Sequence, residues 1–195
     1  GLTANYSAPS GESVGWCWNF NDANPATNGF EIITYTGDGG TQNVPHRLGG
    51  IPDFFITFRT GDTANFRTPW VWHGSAPEAN QRLQLDQSIA GSTIAGYWGQ
   101  PTATDLVMGP GDNTNASGFE HLVYLWKSVP GYSAFGSYQG NGSEDGPMIY
   151  TGFKPAFIMY KRVDIAGSWV IHDTTRNPTN PVFLRLVANS DGNEG

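Results

Sequence analysis

Apolar positions along this chain recur with a period of two, in short bursts broken by glycine and proline. At Trp70-Val71-Trp72-His73 and Trp169-Val170-Ile171-His172 the large apolar residues alternate with smaller or polar neighbours. That spacing turns one face of a strand inward. Phe54–Phe58 and Ala156–Tyr160 are short runs rich in strand-forming residues, suited to strands buried on at least one side. Breaks come roughly every ten residues and leave no room for a long helix. Asp38-Gly39 and Asn141-Gly142 have the composition of tight hairpin turns, where glycine takes a positive φ. Many short strands with frequent turns predict an all-β fold, an antiparallel sandwich of the jelly-roll or lectin-like kind.

The pattern occurs twice. Val14–Trp18 (VGWCW), then Gly29–Gly40, match Leu122–Trp126 (LVYLW), then Gly131–Ser143. Gly49–Ile56 (GGIPDFFI) matches Gly152–Met159 (GFKPAFIM), and Trp70–His73 matches Trp169–His172. Four elements in the same order define two copies, one from Val14 to about Leu85 and one from Leu122 to about Leu186, joined by Asp86–Ser117. Within the joining segment, Ile94–Trp98 and Leu106–Met108 have the composition of further strands. Each copy is thin for an independent core and no flexible linker separates them. The expectation is one pseudo-twofold sandwich spanning residues 1–195.

Composition narrows the chemistry. Hydrophobic residues make up 38% and aromatic residues 13%, enough for a packed core, while charged residues are only 14%. The surface must therefore be built from Asn, Thr, Ser, Gln and Gly, which offer neutral hydrogen bonds. The net charge of -7 opposes nucleic acid and anionic membrane, and no apolar run is long enough for a bilayer-spanning helix. Cys17 stands alone within an apolar run, so no intrachain disulfide is available, and a buried structural thiol is expected.

Several residues are candidates for binding. Trp98 has no counterpart in the other copy and sits in Gly96-Tyr97-Trp98-Gly99-Gln100, where the glycines would let a ligand approach. Tyr97, Trp98 and Gln100 thus form one candidate group, against the ordinary alternative of a buried strand aromatic. His73 and His172 occupy matched positions, with Asp173 beside the second. A His-Asp pair can bind or catalyse, whereas a strand-end histidine more commonly serves as a hydrogen-bond partner. No nucleophile motif accompanies them, and no catalytic residue is assigned. Calcium at Asp112-Asn113-Asn115, or at Asn141, Glu144 and Asp145, is conceivable from oxygen-rich turns. The spacing of an EF-hand is missing, so no cofactor is expected. The only adjacent acids, Glu144-Asp145, lie in a turn, which argues against glycoside hydrolysis.

The second copy carries a resemblance. Gly131–Gly142, Asp145-Gly146-Pro147 and Tyr150–Phe157, with Asn115–Gly118 and Trp169–Asp173, are similar to an uncharacterised β-sandwich domain recurring in tail or fibre-like proteins of marine tailed phages. The resemblance implies a virion setting, extracellular after release. Its implied partners are a host-surface glycan or receptor and other virion proteins, in a homo-oligomer. The leading expectation is non-catalytic host-surface recognition. A structural decoration or assembly module is the alternative, and a polysaccharide-degrading enzyme ranks last. A chain that starts at Gly1 and stops in a polar turn is also expected to be a fragment, whose missing C-terminal part adds a strand to the sandwich.

Overall fold

A computed structural model describes residues 24–61, 68–78 and 80–190. Among the described residues one helical turn, α1 (Pro25–Asn28), precedes eleven strands: β1 (Phe30–Thr36), β2 (Gln42–Pro45), β3 (Phe54–Arg59), β4 (Trp70–His73), β5 (Gln81–Gln84), β6 (Ser92–Thr93), β7 (Asp105–Met108), β8 (Glu120–Trp126), β9 (Phe157–Lys161), β10 (Trp169–Asp173) and β11 (Leu186–Val187). Pro25 sits in the first turn of α1, and Gly29 ends it in the left-handed conformation (φ 62°). A Cβ on Gly29 would come within 2.4 Å of the Lys127 carbonyl oxygen, so the site requires glycine.

Three antiparallel sheets form: a main sheet in the order β1-β8-β3-β4-β5-β6, a three-stranded sheet β11-β10-β9, and a ribbon β2-β7. The protein is all-β and antiparallel, with sheets packed face to face. Among the described residues no helix is long and apolar enough to cross a membrane.

The main sheet is covered on both sides. On one face Tyr35, Phe55, Trp70, Trp72, Val123 and Leu125 pack against Val44, Trp98, Leu106 and Met108. The ribbon and the joining segment supply those four partners, so the joining segment is core. On the other face Phe54, Ile56, Val71 and Leu83 meet Trp169 of β10, with Met159 and Phe135 at the margin. The Trp169 indole donates to the Gln84 carbonyl (2.7 Å), while backbone bonds from Gly91 to Val163 and from Gly167 to Ser88 hold the three-stranded sheet in place.

The two copies do not fold as two separate halves. β8, the first strand of the second copy, lies between β1 and β3 of the first. The matched hairpins also differ in register. Phe54 faces His73, but Phe157 faces Asp173, a slip of one residue relative to the sequence match. A slip of one exchanges the two faces of a strand. Trp70 and Trp72 therefore point to the ribbon side, whereas Trp169 points to the core between the main and three-stranded sheets.

Other local expectations change as well. Asp38-Gly39 does not close a hairpin: β1 pairs with β8 and β2 with β7, so the turn carries the chain from sheet to ribbon. Asn141-Gly142 lies in an irregular stretch, and Gly131–Ser143 forms no strand beyond a bridge between Val129 and Ser133. Of Ile94–Trp98, only Trp98 makes a bridge, to Met108, and the strand falls earlier, at β6. Val14–Trp18, with Cys17, lies outside the described residues.

Trp98 packs edge-on against Phe55 (5.5 Å) and Trp70 (6.0 Å) at 2% exposure. Trp98→Ala is expected to cost about 3–5 kcal/mol of stability in urea denaturation. A loss under about 1 kcal/mol would contradict its place in the core.

Candidate functional site

The ends of β1, β8 and β3 set three residues side by side. Tyr35 faces His121, and His121 faces Arg59. Tyr35 stacks on the His121 ring (5.1 Å, 16°), and its hydroxyl donates to the Thr114 carbonyl. Burial pushes the Tyr35 phenol well above its usual value.

Over this row folds the loop from Gly109 to Phe119. The Thr114 hydroxyl donates to Gly109 O (3.0 Å), and the Asn115 amide N–H donates to Gly111 O (2.8 Å). The fully buried Asn115 side chain donates to Asp38 Oδ1 (2.7 Å) and Gly40 O (3.0 Å) and accepts from the Asp38 N–H (3.2 Å). Gly37 N–H donates to Phe119 O and Gly118 N–H to Gly37 O, both at 2.8 Å. Loop and turn approach so closely that a Cβ on Gly37 would lie 2.2 Å from the Ala116 carbonyl oxygen. A buried amide that meets three partners fixes two loops at once.

Between turn and loop opens a cleft of about 410 Å³, lined among others by Gly39, Arg59, Asp112, Asn115, Ser117 and Phe119. The Arg59 guanidinium carbon stands 3.4 Å from the centre of the Phe119 ring, a cation–π contact that sets both side chains. The cleft thus offers a cation, hydroxyl and backbone groups, and an exposed aromatic. Among the described residues lining it, Asp112 is the one acid.

Behind the cleft, His121 is fully buried, with the Ala116 and Asn113 backbone beside its ring. Burial holds its pKa below the usual imidazole value. A second opening, about 380 Å³, runs along β1 and β2. There Glu31, 1% exposed, accepts from Arg47 Nε (2.8 Å) and the Arg47 N–H (2.6 Å). His46 accepts from the Leu48 N–H at Nδ1 (3.3 Å) and donates to Thr102 O from Nε2 (3.2 Å). Those bonds account for the buried groups as structural ones.

The residues singled out by sequence lie apart. Trp98 is in the core and out of a ligand's reach. Tyr97 is half-buried and tilts against Trp70 (4.4 Å), with the Arg82 guanidinium 4.0 Å over Trp70 and 5.4 Å from Tyr97. Gln100 is exposed. His73, on the main sheet, accepts from the Ser75 N–H (3.0 Å) and stands edge-on to Phe54. His172, on the three-stranded sheet, donates from Nδ1 to Leu184 O (2.9 Å) and lies 3.4 Å from the Tyr160 hydroxyl. Asp173 follows His172 on a strand and so points to the opposite face. Its carboxylate accepts from the Thr175 N–H (3.1 Å), the Arg176 N–H (2.9 Å) and Arg176 Nε (2.6 Å). Burial acts to raise its carboxyl, but these bonds outweigh it and hold the group below the usual range. No His-Asp pair is assembled here.

The calcium alternatives fare differently. Asp112 and Asn115 both line the cleft, but the Asn115 amide is taken up by the turn. The Asn141 side chain is engaged with the Ser143 N–H and Asp145 O. Among the described residues no three His, Cys, Asp or Glu side chains gather as a metal would need. Sequence reading missed Arg59 and Phe119. Their one signal was an arginine closing an apolar strand in a chain poor in cations, and its ring partner lies 60 residues away.

The family model described as a domain of unknown function (DUF7483) matches residues 3–195. No curated protein and no solved structure matches the chain.

Burial, the largest cause in each case, lowers the pKa of His46, His73 and His121. The unfolded chain takes up these protons near pH 6.5 while the folded chain resists them. Stability is then full above that value and lost as pH falls below it, by up to about 1.4 kcal/mol per pH unit for each histidine. The urea midpoint is expected to drop between pH 8 and pH 5, and His121→Phe to shallow the slope. Equal midpoints at the two pH values would contradict the buried neutral imidazoles.

Proposed function

We propose that this chain, which belongs to the DUF7483 family of uncharacterised domains, is a recognition domain that binds a surface glycan without turning it over, in the cleft of Arg59 and Phe119. The observation that carries the reading is the cleft itself. Two loops locked by Asn115 present hydroxyl and backbone hydrogen-bonding groups beside an exposed aromatic ring. Sugars are held by this combination, with polar groups meeting hydroxyls and a ring meeting the apolar face of a pyranose. Arg59, held against the Phe119 ring, adds guanidinium donors that suit the hydroxyls of a glycan. The resemblance of the second copy to tail and fibre-like domains supports a place on a virion tail and a host-surface ligand.

A structural role on the virion has one observation in its favour. Met148, Tyr150 and Phe183 are largely exposed, as residues in contact with a neighbouring protein would be before assembly. A position buried between virion proteins would favour that role, and a distal, solvent-facing position favours recognition.

The test is a glycan array probed with the domain displayed multivalently. Binding to host-surface polysaccharide is expected, with Arg59→Ala and Phe119→Ala each lowering affinity at least about tenfold, some 1.4 kcal/mol, while the circular-dichroism spectrum is kept. Absence of binding by the parent protein, or full binding by both variants, would overturn the assignment.

A further inference from the structure

We propose that His121 is a pH-sensitive latch on the cleft: with a neutral ring it lets the 109–119 loop close over the strand ends, and with a charged ring it drives the loop off and releases what the cleft holds. That the released ligand is a glycan rests on the recognition reading above; the movement of the loop does not.

His121 is where the parts of the cleft meet. In register it stands opposite Tyr35 of β1 and Arg59 of β3. The Tyr35 ring stacks on its ring, and the Ala116 and Asn113 backbone of the loop lies beside it. Both strand-end neighbours in turn reach the loop. The Tyr35 hydroxyl donates to the Thr114 carbonyl, and the Arg59 guanidinium covers the Phe119 ring at the loop's end.

Such surroundings suit an imidazole and not an imidazolium. The ring is fully buried, and burial is the largest influence on it, holding its pKa down. The titratable and charged groups nearby do not reverse this. Arg59, from β3, opposes a second cation. Glu120, on β8 itself, favours one, but as the preceding strand residue it turns to the opposite face, where it accepts from the Thr36 hydroxyl. Tyr35, from β1, stays neutral because burial raises its phenol. Asp38 of the turn is taken up by the Asn115 amide (2.7 Å). Asp112 of the loop lines the cleft, and Asp105 of the ribbon stands opposite Pro45, at the end of β7 away from the loop.

A charged ring needs water, and among its described neighbours the loop is the part that can yield. β1 and β3 pair with β8 in unbroken register, from Phe30 to Thr36 and from Phe54 to Arg59. The loop is irregular and exposed at Asp112, Ser117, Gly118 and Phe119. Segments of that kind open at a lower free-energy cost than core strands. Lifting the loop breaks the bond from Tyr35 to Thr114 and parts Phe119 from Arg59 in one movement. Proton uptake at one ring thus dismantles both walls of the cleft.

With the loop open, the solvated ring titrates near the ordinary value of about 6.5; with it closed, the ring resists the proton. Closure is therefore full above that value and is lost as pH falls below it. One proton is taken up, so the equilibrium shifts by at most about tenfold per pH unit.

Hydrogen exchange on the unliganded protein at pH 8 and pH 5, with intrinsic rates divided out, tests the movement. The amides of Gly37, Gly39, Asn115 and Gly118 close the turn on the loop. They are expected to be less protected than those from Val123 to Leu125 in β8, and to lose at least about tenfold of their protection at pH 5. In His121→Phe, whose ring can still stack on Tyr35, that loss should vanish. Unchanged loop protection at pH 5 in the unsubstituted protein would overturn the latch, as would the same loss in His121→Phe. Loop protection equal to that of β8 at both pH values would overturn it too, by showing that the loop opens only when the whole chain unfolds. The first and last of these are read without any substitution, so they decide even if His121→Phe fails to fold. The polysaccharide retained on the glycan array supplies the second readout: its affinity is expected to be level from pH 8 to about 6.5 and to fall below that. Equal affinity at pH 8 and pH 5 overturns the latch while leaving recognition in place. Loop release at pH 5 in a protein that retains no glycan supports the latch and sinks the recognition reading.

Discussion

β3 constrains everything around it. It has a strand on each side and a core on each face, so both parities of its sequence must be buried. Phe54 and Ile56 face one core and Phe55 the other, while Thr57, fully buried, sends its hydroxyl toward the Asn113 carbonyl (3.4 Å). A strand buried on both faces cannot alternate apolar with polar residues, and this one does not. The ribbon, the joining segment and the three-stranded sheet exist in these positions because β3 and its neighbours leave two apolar faces to cover. The cleft sits where β3 runs out of apolar residues, at Arg59, and a polar loop takes over from the core.

Much of the architecture was legible from local pattern. The alternation at Trp70–His73 and Trp169–His172, the apolar runs of β3 and β9, and the absence of long helices among the described residues all follow from residue type and spacing. What local pattern cannot encode is partnership. Asp38-Gly39 has the composition of a hairpin turn, yet the strands on either side pair with β8 and β7, some 60 or more residues away. Turn chemistry fixes where the chain bends. The apolar faces available elsewhere fix which strand it then meets.

The repeat is met at its hairpins, β3–β4 and β9–β10, but Gly131–Ser143 forms no strand where its match forms β1, and the repeat was a poor guide to faces. A one-residue difference in pairing between β3–β4 and β9–β10 sends Trp70 and Trp169 to different cores, though both are buried. Matched burial in two copies therefore does not imply matched surroundings. The same limit explains the candidate residues. Trp98 was notable for its glycine neighbours, but these serve the backbone and the packing: Gly96 takes a positive φ (86°), and a Cβ on Gly99 would sit 2.9 Å from the Val107 side chain. The cleft, by contrast, is built from Arg59, Asp112, Ser117 and Phe119, which become neighbours only when the loop closes over the strand ends.

The Asn115 clamp divides labour among neighbouring positions. Gly37, Thr114 and Asn115 are buried and determine the shape of the cleft walls, whereas Asp112, Ser117 and Phe119 are exposed on those walls. Substitutions at the second group alter what a ligand meets without disturbing the bonds that hold the loops. Walls that are already rigid also spare a ligand the entropic cost of ordering them. A scaffold arranged this way can diversify its specificity by single exposed substitutions, keeping one fold while the surface it reads changes.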